Sequence, residues 1–307
     1  MQTNEVNLSV DLKCFKMKNP VVAASGTYGF GREYAEYVDL NAWGGISVKG
    51  LTLEERAGNP PPRTVETPSG MLNSVGLQNP GIQAFLQNEL PFLRQFDTVI
   101  IANVAGNTVE EYVEMARILN KTDIDVIELN MSCPNVKKGC MAFGSTPDGI
   151  SQVVNAVRHT TDKPVMVKLT PNVTDIAELA LAAQKAGADA LSLINTLLGM
   201  VIDVNTRRPV LANNTGGLSG PAIRPVAVRM VYQVAQAVDI PVIGMGGITS
   251  GRDVIEFILA GASSVMVGTW NFTDPMCIEK ILDYIKQYMI RHNVSDLKEL
   301  IGKVEIY

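Results

Sequence analysis

The chain has 307 residues, 46% of them hydrophobic and 19% charged, which is the balance of a soluble globular protein with a sizeable core. A formal net charge of −5 argues against a surface for nucleic acid or anionic membrane, since either would need a concentration of Lys and Arg. The first residues show neither a cationic start nor an apolar stretch, and no apolar run reaches the roughly 20 residues of a membrane helix. We therefore expect a cytoplasmic protein without nucleic-acid or membrane partners.

Short apolar segments alternate with amphipathic segments along most of the chain. The predicted strands are Val21–Ala24, Gly45–Val48, Val99–Asn103, Val126–Asn130, Pro164–Lys168, Ala190–Ile194, Pro241–Met245 and Ser264–Val267. The predicted helices are Thr108–Asn120, Asp148–Thr160, Asp175–Ala186, Pro225–Ala237 and Gly251–Ala260. Eight strands that alternate with helices indicate parallel pairing, and eight strands can close a barrel. A small hairpin made of Asn7–Val10 and Cys14–Met17 is predicted before the first of them.

An open, doubly wound sheet would show the same alternation, but the positions of the polar and glycine residues favour a barrel. Lysine, asparagine and glycine residues stand at or just after the carboxyl end of most predicted strands. In a barrel these ends meet on one rim, where the active site is built. We predict an α/β fold with a single (β/α)₈ (TIM) barrel domain over residues 1–307. Three long connections on that rim would form lids or binding walls: Leu51–Gln95, Met131–Thr146 and Thr196–Ile223.

Cysteine and histidine residues are few, and one cysteine stands out. The four cysteines include no CxxC pair, and with two histidines they offer no spacing typical of a metal site, so we expect no bound metal. Cys133 follows a predicted strand in the segment Asn-Met-Ser-Cys-Pro-Asn. Buried structural cysteines are commoner than catalytic ones, but Asn130 and Asn135 on either side would each need hydrogen-bond partners in a core. We interpret Cys133 as a catalytic candidate at the mouth of the barrel.

Two lysines, Lys49 and Lys168, each close an apolar strand. Lysine is rarely buried without a partner, so each requires an anionic ligand or a carboxylate. Three interpretations are open at this point. The side chains reach solvent or form ion pairs, or one of them forms a Schiff base, as in aldolase-type barrels. Alternatively, the two cations neutralise a reduced flavin and an anionic substrate.

Glycines cluster where a barrel usually binds phosphate. Gly216–Gly220 precedes a predicted helix, while Gly244–Gly247 and Gly268–Thr269 follow the seventh and eighth strands. Glycines there let backbone N–H groups approach a phosphate, and the loops after strands seven and eight are the usual phosphate site of a barrel. The location therefore predicts a ligand with a phosphate monoester.

Four side-chain amides, those of Asn73, Asn130, Asn135 and Asn195, are predicted at the same rim. Any one of them could be an ordinary turn residue. Together they offer donors and acceptors side by side, which matches the amide edges of a planar cyclic imide. The set indicates a pyrimidine ring as ligand.

Five motifs that occur in order along the chain resemble those of the class 1 dihydroorotate dehydrogenases: Asn-Ser-Val-Gly-Leu-Gln-Asn-Pro-Gly, Asn-Met-Ser-Cys-Pro-Asn, Ile-Asn-Thr, Gly-Gly-Leu-Ser-Gly and Gly-Met-Gly-Gly. The resemblance implies an FMN-binding barrel that oxidises (S)-dihydroorotate to orotate in de novo pyrimidine biosynthesis. It implies that Cys133 takes a proton from C5 while a hydride passes from C6 to N5 of the flavin. Lys49, the second implied catalytic residue, would lie near flavin and substrate, and Lys168 near the N1–O2 edge of the flavin, where reduction places negative charge.

The resemblance also implies two overlapping sets of binding residues. The expected orotate contacts are Lys49, Asn73, Ser74, Val75, Gly76, Leu77, Asn130, Asn135, Asn195 and Thr196. The expected FMN contacts are Ser25, Lys49, Gly50, Asn103, Asn130, Lys168, Ile194, Gly220, Gly246, Gly247, Gly268 and Thr269.

Within class 1, the segment Val-Gly-Leu-Gln-Asn-Pro is more similar to the NAD-linked subgroup (class 1B) than to the fumarate-linked one. That subgroup pairs a homodimer of its FMN subunit with a subunit carrying FAD and an iron–sulfur cluster, which implies a heterotetramer. One alternative is a dihydropyrimidine dehydrogenase subunit, which shares Asn-x-Ser-Cys-Pro and acts on uncharged dihydrouracil. Others are a Schiff-base lyase without flavin and a flavin-holding but inactive subunit.

Overall fold

The structure, a computed structural model, describes residues 6–131 and 143–307. Its strands are β1 (Val10–Asp11), β2 (Lys16–Met17), β3 (Val21–Ala23), β4 (Gly45–Ser47), β5 (Thr64–Thr67), β6 (Gly70–Asn73), β7 (Val99–Val104), β8 (Val126–Asn130), β9 (Val165–Lys168), β10 (Ala190–Leu193), β11 (Leu197–Gly199), β12 (Ile202–Asp203), β13 (Arg208–Pro209), β14 (Gly216–Ser219), β15 (Val242–Met245) and β16 (Ser264–Val267).

The helices include one that is continuous through a π-helical turn: α1 (Ile82–Ala84) leads through Phe85–Glu89 into α2 (Leu90–Leu93). The others are α3 (Val109–Leu119), α4 (Pro147–Arg158), α5 (Ile176–Lys185), α6 (Arg224–Ala237), α7 (Gly251–Leu259), α8 (Trp270–Thr273) and α9 (Cys277–Arg291). Short 3₁₀ helices span Tyr34–Glu36, Leu40–Ala42, Phe143–Ser145, Pro221–Ile223 and Leu297–Leu300. Among the helices in the described ranges, none is both long and apolar enough to cross a bilayer.

Eight strands form the closed barrel, in the order β10-β15-β16-β3-β4-β7-β8-β9, and β9 pairs with β10 to complete it. Every neighbouring pair is parallel. The strands are buried on both faces, between the side chains that fill the barrel and the surrounding helices, which explains their near-continuous apolar sequences. The predicted (β/α)₈ barrel is confirmed, and each predicted strand agrees with the structure to within one residue at either end.

All five predicted helices are present, and four of them combine an apolar stripe with a capping side chain. Thr108, Thr146 and Asp175 each accept a hydrogen bond from a backbone N–H of the first turn that follows, and Ser250 begins α7 with a capping box. These caps fix where each helix starts after its strand. They therefore also fix the loops at the carboxyl rim of the barrel.

Two of the long connections contain more regular structure than we predicted. The segment Leu51–Gln95 contains β5, β6 and the helix from Ile82 to Leu93, and Thr196–Ile223 contains β11 to β14. A four-stranded antiparallel sheet, in the order β11-β14-β6-β5, joins the two connections. Its pairing of Asn73 with Gly217 links residues that are far apart in sequence, so no local pattern predicts it.

The N-terminal hairpin is confirmed but is shorter than predicted. Val10 pairs with Met17 and Asp11 with Lys16, whereas Asn7 bridges to Asp296 near the other end of the chain. The sulfur of Met17 lies 3.5 Å from the position that a Cβ on Gly45 would occupy, at the amino end of β4. The hairpin therefore packs at the end of the barrel opposite the predicted site.

Candidate active site

A cavity of about 610 Å³ opens at the carboxyl ends of the barrel strands. Its volume is in the range typical of small-molecule sites. Most of the predicted site residues line it: Ser25, Lys49, Gly50, Asn73, Ser74, Val75, Gly76, Leu77, Asn130, Lys168, Ile194, Asn195, Thr196, Gly220, Gly246, Gly247, Gly268 and Thr269. The structure thus brings into one wall residues from loops that are far apart in sequence.

Three predicted site residues are not part of this wall as described. Asn103 is fully buried and lies behind Gly50, where its Oδ1 is 2.9 Å from the position of a Cβ on that glycine. Cys133 and Asn135 lie outside the described residues. The catalytic role of Cys133 therefore stays a prediction.

The two strand-closing lysines both reach the cavity. Lys49 is half-buried, and its Nζ lies 4.0 Å from where a Cβ on Gly26 would sit. Burial, and then the positive charges of Arg63 and Lys168, lower the pKa of Lys49 from its ordinary value of 10.5. Lys168 is only 5% exposed. The charges of Arg63 and Lys168 thus add to the positive potential at Lys49, which suits an anionic ligand.

The glycines after β15 and β16 have the properties of a phosphate-binding site. Gly246 and Gly247 have φ angles of +127° and +73°, which strongly favour glycine. A Cβ on Gly247 would stand 2.8 Å from the carbonyl oxygen of Gly220, so the two loops pack backbone to backbone. The N–H groups of Gly246, Gly247 and Gly268 have no acceptor within residues 6–131 and 143–307. Free backbone donors on a cavity wall fit the phosphate of a cofactor.

A second group of free hydrogen-bonding atoms lies in the loop after β6. The Oγ of Ser74 is buried and finds no hydrogen-bond partner in the described part of the chain. Gly76 and Leu77 both have positive φ, and a Cβ on Gly76 would stand 2.7 Å from the side chain of Asn59. This tight loop therefore presents backbone and hydroxyl groups to the cavity in a fixed conformation, as the recognition of a small polar ring requires.

The amides on the other side of the cavity orient one another. Asn195 Nδ2 is 3.4 Å from Asn130 Oδ1, and Asn195 Oδ1 accepts a hydrogen bond from Thr196 N at 2.8 Å. Asn172, which we did not single out from the sequence, donates to the Thr196 carbonyl at 3.0 Å and accepts from Leu198 N at 2.9 Å. It therefore connects the loop after β9 to the segment around Thr196, where β11 begins. An Asn just past the carboxyl end of a strand was the signal that could have identified it.

A buried carboxylate below the cavity was also missed. Glu128 is fully buried and accepts hydrogen bonds from Ser47 Oγ at 2.7 Å, Asn103 Nδ2 at 2.6 Å and Ser192 Oγ at 2.6 Å. The four residues belong to four different strands of the barrel. Because an ionised carboxylate only accepts, it fixes Asn103 with its NH₂ group turned toward Glu128. The signal in the sequence was a charged residue inside an apolar strand, two positions before Asn130.

Comparisons with known proteins agree on one family. The family model described as dihydroorotate dehydrogenase matches residues 7–289. The chain is 57% identical over 301 residues to the "Dihydroorotate dehydrogenase B (NAD(+)), catalytic subunit" of Thermoanaerobacter pseudethanolicus, covering 98% of this chain and all of the relative. Proteins of the same description from Alkaliphilus oremlandii and Caldicellulosiruptor saccharolyticus are 56% and 52% identical, over 97% and 98% of this chain and 99% and 100% of their own length.

The fold also has a solved counterpart. A crystal structure of DHODH from Eimeria tenella in complex with ferulenol superimposes with a TM-score of 0.77 at 20% identity, covering 99% of this chain and 90% of the other. Fold and cavity define a (β/α)₈ barrel with a cationic, amide-lined site beside a phosphate-type loop pair. The chain belongs to the dihydroorotate dehydrogenase family.

Proposed function

We propose that this chain oxidises (S)-dihydroorotate to orotate in pyrimidine biosynthesis, as the catalytic subunit of an NAD⁺-linked dihydroorotate dehydrogenase. Relatives of that description are 52–57% identical to it over nearly its full length. The observation that carries the proposal is the cavity, which combines two lysines, several asparagine amides and the N–H groups of the phosphate-type loops that have no acceptor among the described residues. Family membership favours the flavin-and-anion interpretation of the two lysines over a Schiff base.

The family is flavin-dependent, and we propose FMN as the flavin of this chain. The free donors of Gly246, Gly247 and Gly268 fit its phosphate, and Lys168 fits an edge of the ring on which negative charge develops. The chemistry that FMN would supply there when bound is acceptance of a hydride. The other predicted FMN residues line the same cavity, except Asn103, which lies one layer behind it.

The protein's own groups bind and orient the substrate and move a proton. The amides of Asn73, Asn130 and Asn195 offer donors and acceptors to the imide edges of the ring. Lys49 supplies a positive charge for the substrate carboxylate, a group that dihydrouracil lacks. Cys133, by resemblance to the family, takes the proton from C5; a thiol with an ordinary pKa of about 8.5 does so best when partly ionised.

We further propose that the chain works as a homodimer joined to a subunit with FAD and an iron–sulfur cluster, in a cytoplasmic heterotetramer with NAD⁺ as the final acceptor. The relatives' descriptions support a partner and the acceptor, since they name NAD(+) and a catalytic subunit. In the described part of the chain, no group of three or more His, Cys, Asp or Glu residues could hold a metal ion. Because the four cysteines of the sequence include no CxxC pair, we propose that the iron–sulfur cluster is carried by the partner.

The test is anaerobic mixing of the flavin-loaded chain with dihydroorotate while the flavin absorbance is followed. Bleaching by dihydroorotate but not by dihydrouracil supports the proposal, and bleaching by dihydrouracil alone contradicts the substrate. Cys133→Ser should slow the bleaching at least about 100-fold while FMN stays bound, since a positioned base contributes that much or more. Cys14→Ser is the matched control because Cys14 lies in the N-terminal hairpin region, away from the cavity. Equal rates in the Cys133 variant and the control would exclude Cys133 as the base.

A further inference from the structure

The loop from Gly246 to Ser250, which follows β15, is divided into two halves by its hydrogen bonds. The N–H groups of Gly246 and Gly247 have no acceptor in the described ranges, and both residues line the cavity. The donors of residues 249 and 250 point the other way. Thr249 N and Ser250 N donate to Asp253 Oδ2 at 2.8 and 3.0 Å, and Thr249 Oγ1 donates to the same atom at 2.8 Å.

Asp253 is therefore a buried anchor behind the loop. It is the third residue of α7, its side chain is 5% exposed, and it completes the capping box with Ser250. Its other oxygen, Oδ1, accepts a hydrogen bond from Arg224 Nη1. By taking the donors at positions 249 and 250, the carboxylate fixes the direction in which the two free glycine donors point.

Arg224 connects this anchor to the neighbouring phosphate-type loop. It is the first residue of α6, directly after the 3₁₀ turn that begins at Gly220. A Cβ on Gly247 would stand 2.8 Å from Arg224 Cβ and 2.8 Å from the Gly220 carbonyl oxygen. Gly247 thus packs directly against the start of α6. Beside it, the contact of Arg224 with Asp253 joins the start of α6 to the start of α7.

The guanidinium of Arg224 is committed to carboxylates. Besides Asp253 it contacts Glu256, with Nε 3.3 Å from Oε2. Two carboxylates more than balance its single charge, and its side chain does not line the cavity. Arg224 therefore holds protein groups in place.

We propose that Arg224 and Asp253 are a positioning pair that sets the phosphate-binding loops and thereby the preference of this chain for FMN over riboflavin. The inference rests on the proposed flavin site. The two flavins differ only in the phosphate, so the ratio of their dissociation constants reports the phosphate subsite alone. Donors held in place before the ligand arrives bind it without a further ordering cost, and a loosened loop loses that advantage.

The experiment uses the full chain freed of flavin, with FMN and riboflavin each titrated by quenching of flavin fluorescence. The variants are Arg224→Met, which keeps the apolar stem beside Gly247, Asp253→Asn, which keeps the shape of the anchor, and the double variant. Arg158→Met is the matched control. Arg158 is similarly exposed and ends α4, and it pairs at 2.7 Å with Asp189, which directly precedes the amino end of β10, opposite the cavity.

Both single variants should weaken FMN binding about 10- to 100-fold, the scale on which partners directly behind a ligand-binding group act. Riboflavin binding should change less than about threefold, and the double variant should resemble the single ones because the residues act as a pair. The Arg158→Met control should keep the wild-type ratio of the FMN and riboflavin dissociation constants. Arg224→Lys keeps the charge but spans the two carboxylates less well, so its preference for FMN over riboflavin should lie between those of wild type and Arg224→Met. This variant also tests the pair if Asp253→Asn fails to fold.

The contrary outcomes are distinct. A wild-type chain that binds neither flavin would contradict the proposed function itself. A wild-type preference for FMN that persists in Arg224→Met and Asp253→Asn would overturn the positioning pair and leave the flavin site intact. If Arg224→Met loses the preference while Asp253→Asn strengthens it, Arg224 is itself a phosphate ligand, which also overturns the proposal.

Discussion

Replacing Glu128 with methionine should destabilise the flavin-free protein severely. Glu128 is fully buried and is the shared acceptor for two serine hydroxyls and the Asn103 NH₂ group, at 2.6 to 2.7 Å. Methionine fills a similar volume, but its thioether is only a weak hydrogen-bond acceptor. Because the donors belong to three other strands of the barrel, the surrounding structure cannot collapse to satisfy them.

The size of this loss in stability depends on whether each donor can find another acceptor. A buried donor left without an acceptor costs about 1–3 kcal/mol. The hydroxyls of Ser47 and Ser192 can rotate, whereas the Asn103 amide must turn as a whole, so we expect a loss of about 3–5 kcal/mol in the free energy of unfolding, the usual cost of breaking a buried charged network. At about 2 °C per kcal/mol for a long chain, the midpoint of thermal unfolding should fall by about 6–10 °C.

The assay is thermal unfolding of flavin-free wild type, Glu128→Met, Glu128→Gln and the double variant Glu128→Met/Asn103→Leu. Glutamine keeps the shape and one carbonyl acceptor, so its loss should be less than half that of methionine. The double variant should lose about 1–3 kcal/mol less free energy of unfolding than the two single changes added together. It removes the Asn103 NH₂ donor together with the acceptor on Glu128, so no unpaired donor remains there. Ser264→Ala, which removes an equally buried hydroxyl bonded to the Pro20 carbonyl, is the control. A Glu128→Met protein that unfolds within about 2 °C of wild type would refute the reasoning.

Other predictions concern the cavity directly. Because the pKa of Lys49 is lowered from 10.5, its ammonium is lost at lower pH than that of an ordinary lysine, and orotate, an anion, should bind up to about tenfold more weakly per pH unit above that pKa. Spectral titration between pH 7 and 10 measures this, and Lys49→Met should abolish the dependence. Gly76→Ala combines a φ of +79° with a contact of 2.7 Å to Asn59 and should weaken orotate binding at least about tenfold, whereas Gly302→Ala, with φ +69° and no neighbour nearer than 4.0 Å, should leave it unchanged. Turnover should rise with pH through the ordinary thiol range if Cys133 is the base, and a flat profile would speak against it.

The barrel was predictable because its pattern is local. Each strand is a short apolar segment buried on both faces, and the residues that cap the helices lie beside them in the sequence. The sheet of β5, β6, β11 and β14 was not predicted because it joins two connections whose own residues are half-exposed and weakly patterned. Its strands come from two connections that only the assembled barrel brings side by side.

The cavity wall was predictable for a different reason. Asn130 and Lys168 are of residue types that are costly to bury without a partner, so their positions at the ends of predicted strands already indicate a site. Asn103 is less direct. Its contact with FMN stays a prediction, because it lies behind Gly50 with its Nδ2 donating to Glu128, while its buried Oδ1 has no partner among the described residues.

The two buried carboxylates, Glu128 and Asp253, were missed because the same residue types cover the surface of any soluble protein. What distinguishes them is the convergence of donors from distant segments, such as Ser192 on Glu128 and Arg224 on Asp253, which a sequence does not display. Both hold groups beside the cavity without lining it. The motif residues supply the contacts with a ligand, whereas the buried carboxylates hold those residues in position. A change at a buried carboxylate can therefore alter ligand preference while every motif residue is retained.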